Sequence, residues 1–193
     1  MMTKSALRRT YLNKRKNLDP GSIQQLTQAI SANLTRFLRN KSFTTVHIFL
    51  TQARNSEVDT LKIIDALRDA FSNLRVAAPF VVPGTRDMLH FSISPGSKFI
   101  PNAWQIPEPD PAAELQVLPE EIDVVIIPML AFDKQGFRVG YGGGFYDHFL
   151  PHCRPETWKI GLSFFGPVDK IADLDNFDVP MNACITPDGI FQW

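Results

Sequence analysis

The run Ile122-Asp-Val-Val-Ile-Ile-Pro128 constrains the fold more than any other segment. Its β-branched residues follow one another without polar alternation, the pattern of a strand that is apolar on both faces. A strand of that kind is stable only as a middle layer, with helices covering the sheet on both sides.

The flanking segments supply those layers. Thr45-Val-His-Ile-Phe-Leu50 reads as a strand, a helix follows from Thr60 with Leu61, Ile64, Leu67 and Phe71 inward, and Arg75-Val-Ala-Ala-Pro79 returns as a strand. Met88 to Ile93, Asp123 to Ile127, Lys159 to Phe164 and Ala183 to Ile185 read as further strands, and the prolines from Pro79 to Pro119 as connections around a short strand. Two helices open the chain: one from about Thr3 to Asn17, the other with Asp19 as N-cap and Pro20 at its first position. In the second, Ile23, Leu26, Ile30, Leu34 and Phe37 form one apolar stripe, suited to packing on a sheet. The expected architecture is a single α/β domain over residues 1–193, with an N-terminal helical pair over about 3–40. Its central sheet is mostly parallel with helices on both faces, a three-layer, Rossmann-like arrangement.

Composition narrows the function classes. Twenty basic residues balance twenty acidic ones, so no global field favours nucleic acid or an anionic membrane, and any anion site must be local. No apolar stretch reaches the ~18 residues of a membrane span, and the basic N-terminus has no apolar core of a signal peptide behind it. A cytoplasmic, monomeric protein is expected. Cys153 and Cys184 are too few and too far apart for a disulfide framework, and read as reduced. His148 and His152 have the spacing of a zinc pair, but Pro151 stands between them and no third ligand is near. His47, between Val46 and Ile48, reads as a hydrogen-bonded strand histidine.

Five of the 11 glycines fall between Gly136 and Gly144, in the run Asp133-Lys-Gln-Gly136-Phe-Arg138-Val-Gly140-Tyr-Gly142-Gly-Gly-Phe145-Tyr146-Asp147. Such density suits a backbone that needs positive φ or lies against a ligand. The run follows the apolar strand and leads into Phe145 to Leu150, a short helix before Pro151; amides at such a junction bind anions. Arg138 adds a guanidinium suited to phosphate. Asp147 beside phosphates requires an intervening cation, a role Mg2+ fills. No Gly-Lys-Ser/Thr follows, and no Gly-x-Gly-x-x-Gly register fits, so neither a Walker A loop nor a dinucleotide fingerprint is present. On the first helix Lys4, Arg8 and Arg15 can share one face, a second anion candidate or simply a solvated surface. Glu57 follows the first strand where ligands collect; either it is a loop acid or it accepts hydrogen bonds from a polar ring such as a pterin.

The segment Ala131 to Asp147 resembles the signature of the 5-formyltetrahydrofolate cyclo-ligase (5,10-methenyltetrahydrofolate synthetase) family. Lys4-Ser-Ala-Leu7-Arg8 with Arg15, Glu57-Val-Asp-Thr and Trp104-Gln-Ile-Pro107-Glu-Pro109 are similar to other elements of that family, in the same order along nearly the whole chain. The resemblance implies an ATP- and Mg2+-dependent cyclisation of 5-formyltetrahydrofolate, with or without a polyglutamate tail, to 5,10-methenyltetrahydrofolate. The formyl oxygen attacks the γ-phosphate, N10 attacks the activated carbon, and ADP and phosphate are released. It assigns Lys4, Arg8, Arg15, Arg138 and the loop Val139, Gly140, Tyr141, Gly142, Gly143, Gly144, Phe145 and Tyr146 to ATP, with Arg138 and Gly142 to Gly144 at the transferring phosphate. Glu57, Leu50, Trp104 and Tyr146 fall to the folate, and Asp147 and Asn182 to the metal. Phe145, His148 and Asn182 depart from the family's usual tyrosine, arginine and aspartate. An amide at 182 brings no charge, which implies weaker metal affinity or, alternatively, a folate- or nucleotide-binding homologue without turnover. An unrelated phosphate-ligand enzyme is the other alternative, because fold does not fix function.

Overall fold

The computed structural model describes all 193 residues. In chain order the elements are α1 (Lys4–Lys16), α2 (Pro20–Leu38), β1 (Thr45–Ile48), α3 (Thr60–Ala70), β2 (Arg75–Val81), β3 (Met88–Ile93), β4 (Phe99–Pro101) and β5 (Pro107–Pro109). There follow β6 (Val124–Ile127), β7 (Ala131–Phe132), β8 (Arg138–Val139), α4 (Phe145–Phe149), β9 (Trp158–Leu162), β10 (Ala183–Thr186) and β11 (Gly189–Gln192). Capping chemistry sets the first helix boundaries: Thr3 accepts from the Ala6 amide and Asp19 from the Ser22 amide.

Seven strands form one sheet in the order β11-β10-β9-β6-β1-β2-β3. The pairings from β10 to β2 are parallel, and the edges β11 and β3 are antiparallel. β6 sits at the centre with all four residues fully buried. Val124 and Ile126 belong to the cluster under α2 and α3; Val125 and Ile127 belong to the opposite cluster with Met129, Phe132 and Phe149. Each such side chain contributes about 1.5–3 kcal/mol of burial. The second face is covered by short α4 and the β7–β8 hairpin, while α1 packs on that hairpin through Leu7, Tyr11 and Val139.

Several local readings need correction. Leu61 is 46% exposed, because Thr60, Ile63, Ile64 and Leu67 set the inward face of α3 and position 61 lies about 200° around from 63. In α2 the inward face runs through Thr27, Ile30, Leu34 and Leu38, with Ile23, Leu26 and Phe37 at its margin. The proline-rich stretch holds the β4–β5 pair as well as β3, and β11 closes the sheet where no strand was expected. His47 is fully buried with neither ring nitrogen hydrogen-bonded. Both cysteines are free, and no helix is long and apolar enough to cross a membrane.

Candidate functional site

A cleft of about 870 Å³ opens beyond the carboxyl ends of β1, β2 and β6, where Phe49, Leu50, Pro79 and Pro128 form its floor. The glycine loop between β8 and α4 forms one wall. Its backbone explains its composition. Gly142 (φ +106°) and Gly144 (φ +74°) occupy the left-handed region, and a Cβ on Gly143 would come within 2.6 Å of the Phe145 ring. From Tyr141 to Asp147 no backbone N–H donates to a protein acceptor; the next amide, His148, donates to the Gly144 carbonyl at 3.0 Å. Consecutive unpaired amides at a helix start make an anion-binding concavity.

Arg138 and Asp147 stand beside this loop. Arg138 is 7% exposed; its Nη1 donates to the Val179 carbonyl at 2.5 Å and its Nη2 to Asp147 Oδ1 at 2.7 Å. Burial lowers the Arg138 pKa, and the neighbouring Asp147 charge works against that shift. Asp147 Oδ1 also accepts from the Val179 amide at 3.1 Å, so both contacts fall on one oxygen and Oδ2 has no protein donor.

On the opposite side, Glu57 is 6% exposed and has the structural task its sequence did not reveal. Its Oε2 accepts from the Gln52 amide at 2.6 Å and its Oε1 from the Tyr141 hydroxyl, which in turn accepts from Arg15 Nη1 at 2.7 Å. Burial pushes the Glu57 pKa up, while Tyr141, the Gln52 amide and Arg15 pull it down. The hydroxyl bridges an ion pair whose nearest atoms are 4.0 Å apart. Trp104 borders the same side: its carbonyl accepts from Gln52 Nε2 at 2.7 Å, and its ring meets Phe145 edge-on. Tyr146 lines the cleft with its hydroxyl buried and unpartnered, and burial raises its pKa.

The basic residues of α1 divide. Arg8 lines the cleft and its Nε donates to the Gly140 carbonyl at 2.9 Å. Lys4 also lines it, with Nζ bonded to Asp178 Oδ1 and Oδ2 at 2.7 and 2.6 Å and to Asp175 at 3.3 Å. Burial works to lower the Lys4 pKa, but these carboxylates outweigh it and the pKa is raised. Arg15 is not brought to the cleft wall: it is 2% exposed and donates to Tyr141 and the Met129 carbonyl. Its guanidinium neutralises the buried Glu57.

Asn182 is the second correction. It precedes β10, outside the cleft lining; its Oδ1 accepts from the Lys159 amide and its own amide donates to the Lys159 carbonyl, both at 2.8 Å. The carboxamide therefore extends the β9–β10 pairing and lies outside the lining of the cleft that holds Asp147. Asp178 lines the cleft instead. No group of three or more His, Cys, Asp or Glu side chains could hold a metal unaided. The donor chemistry does fit Mg2+ arriving with phosphate oxygens, since one carboxylate with a free oxygen suffices for that mode.

Sequence reasoning missed Gln52, Asn102 and Glu108. Glu108 is 6% exposed, lines the cleft, and accepts from the Val81 amide at 3.1 Å and Asn102 Nδ2 at 2.7 Å. The one local signal was an acid held between two prolines in β5.

Fold and site together define an α/β protein in which an amide-lined glycine loop shares one cleft with a second, partly apolar half-site. The model of the 5-formyltetrahydrofolate cyclo-ligase family matches residues 1–187. A 5-formyltetrahydrofolate cyclo-ligase of Escherichia coli (strain K12) is 30% identical over 183 residues, covering 93% of this chain and 98% of that protein. The solved structure of a 5,10-methenyltetrahydrofolate synthetase from Mycoplasma pneumoniae superposes with a TM-score of 0.76 at 25% identity, covering 96% of this chain and 99% of that one. That of Aquifex aeolicus gives a TM-score of 0.80 at 26% identity, covering 99% and 93%. The chain belongs to the 5-formyltetrahydrofolate cyclo-ligase family.

Proposed function

We propose that this protein closes 5-formyltetrahydrofolate to 5,10-methenyltetrahydrofolate with ATP, releasing ADP and phosphate, and that it does so as a monomer with Mg2+. The observation that carries the reading is the run of unpaired amides from Tyr141 to Asp147 sharing one cleft with Arg138 and with the Glu57–Trp104 side.

A formamide carbon is a poor electrophile and its oxygen a poor leaving group. Transfer of the γ-phosphoryl group to the formyl oxygen makes that oxygen part of a leaving phosphate. N10 then attacks the carbon, phosphate departs with the former formyl oxygen, and N10 loses its proton as the ring closes. Little covalent chemistry falls to the side chains, so positioning and charge stabilisation supply most of the rate. The loop amides and Arg138 hold the transferring phosphoryl group, with Arg138 kept charged and aimed by Asp147. Arg8 extends the phosphate-facing surface from α1. Glu57, fixed by Gln52 and Tyr141, holds the pterin end; Leu50 and Trp104 supply apolar surface there. Asp147 would hold Mg2+ through Oδ2, and the ion when bound neutralises phosphate charge. Closing the cleft around both substrates excludes water and strengthens each of these charges.

The test is the near-ultraviolet absorbance of the methenyl product with purified protein, 5-formyltetrahydrofolate, ATP and Mg2+. An ATP-dependent rise, lost by at least a hundredfold in Arg138→Ala, is expected, because removing a donor to a charge-developing oxygen typically costs ~10²–10³ in rate. Folate binding without product would make the chain a binding homologue. Absence of both would overturn the reading.

A further inference from the structure

Phe177 is 82% exposed, on a turn whose backbone is tightly hydrogen-bonded. Its amide donates to Asp175 Oδ1 at 2.9 Å, the Asp175 amide to Asp178 Oδ2 at 2.7 Å, and Lys4 Nζ bonds both Asp178 oxygens. The Lys4 amide adds a bond to Asp173 Oδ1 at 2.6 Å. These bonds fix the backbone of the turn, and the Phe177 ring projects from it at the cleft wall.

Single exposed apolar residues are ordinary. The distribution here is not. Of the exposed large apolar side chains, those lining the cleft are Trp104, Tyr141 and Phe177, all aromatic; away from it only Trp193 is, the others being Met, Leu or Ile. Tyr141 is bonded to Glu57 and Trp104 is met by Phe145, which leaves Phe177 as the aromatic ring with no side-chain partner of either kind.

Hydrogen bonds also order the wall. The Phe177 turn binds Lys4, Arg8 of the same helix binds Gly140, Tyr141 binds Glu57, and Gln52 beside Glu57 binds Trp104. In the cyclo-ligase reading, on which this inference rests, the γ-phosphate meets the formyl group at the loop amides and Arg138. The rest of the nucleotide then extends away from Glu57, past Arg8 and Lys4, toward Phe177. We propose that Phe177 is the platform on which the adenine ring of ATP stacks.

Calorimetry on the intact protein tests this with three probes: ATP, inorganic tripolyphosphate, which lacks the base, and 5-formyltetrahydrofolate. Phe177→Ala weakens ATP roughly tenfold or more, the range for loss of a base–aromatic stack, and leaves tripolyphosphate and the folate unchanged. Phe177→Trp keeps ATP affinity, and ATP but not tripolyphosphate alters its fluorescence. Equal loss of ATP and tripolyphosphate in Phe177→Ala, loss of folate instead, or no change overturns the assignment while the cyclo-ligase reading stands. If the unaltered protein binds no ATP, the cyclo-ligase reading fails first and this one falls with it.

Discussion

Stability should fall steeply between pH 6.5 and about 4, because of two histidines the reaction does not use. His47 of β1 and His90 of β3 meet over β2 with ring centroids 4.8 Å apart, 0% and 1% exposed. Phe149 lies against both rings and Tyr146 against His47; none of the four imidazole nitrogens has a hydrogen-bond partner. Burial takes the His90 pKa from 6.5 to about 4, and lowers that of His47 well below its usual value, with His90 adding a smaller repulsion. The unfolded chain gains a proton near pH 6.5 that the folded protein refuses until about pH 4. The contribution is thus complete above 6.5 and lost progressively as pH falls toward 4.

For His90 alone, the gap from 6.5 to about 4 converts to about 3 kcal/mol, of which about 2 is gone by pH 5. Urea unfolding at pH 7.5 and pH 5 measures it. The comparison is the difference between the two pH values in the native chain against that in His90→Phe, so that any packing change cancels. The variant should lose about 2 kcal/mol less than the native protein over that interval. A variant with undiminished pH dependence, or an NMR titration of His90 centred near the usual 6.5, would refute the argument.

Position 182 gives a second discriminating pair. Asn182→Asp should leave the Mg2+ midpoint of turnover unchanged, because a carboxylate there still accepts the Lys159 amide outside the cleft, whereas Asp147→Asn should raise the midpoint roughly tenfold. A lowered midpoint in Asn182→Asp would show that position 182 does face the metal. Within the glycine loop, Gly142→Ala forces a side chain to φ +106° and should cost about 1–3 kcal/mol, or about 2–4 °C of melting temperature per kcal/mol, with a fall in kcat/KM. Gly140→Ala, where φ is unstrained and a Cβ meets nothing within 4 Å, is the control and should melt with the native protein.

The architecture was legible because it rests on local patterns. The unbroken apolar run at Val124–Ile127 requires two covered faces, and the structure divides those residues alternately between two clusters. The cap at Asp19 acts within three residues of itself, so its spelling suffices. β11 and the β4–β5 pair were not legible: each is a short antiparallel addition whose pairing is decided by the neighbour it meets. His47 was misread for the same reason, since the polar side chain it meets is another buried histidine, 43 positions away.

At the site, spacing along α1 allowed Lys4, Arg8 and Arg15 to share one helical face, but a helical face carries no information about depth. Arg8 stops at the cleft wall because the Gly140 carbonyl is there to receive it. Arg15 continues beneath the loop, where the Met129 carbonyl, the Tyr141 hydroxyl and the Glu57 charge surround it. A buried guanidinium is stable only if its charge is matched, and so is a buried carboxylate. Glu57 and Arg15 therefore require one another, and Tyr141, whose hydroxyl gives to one and takes from the other, fixes the loop to that pair. The same residue begins the run of unpaired amides, so the backbone of the glycine loop is held in place from the Glu57 side of the cleft.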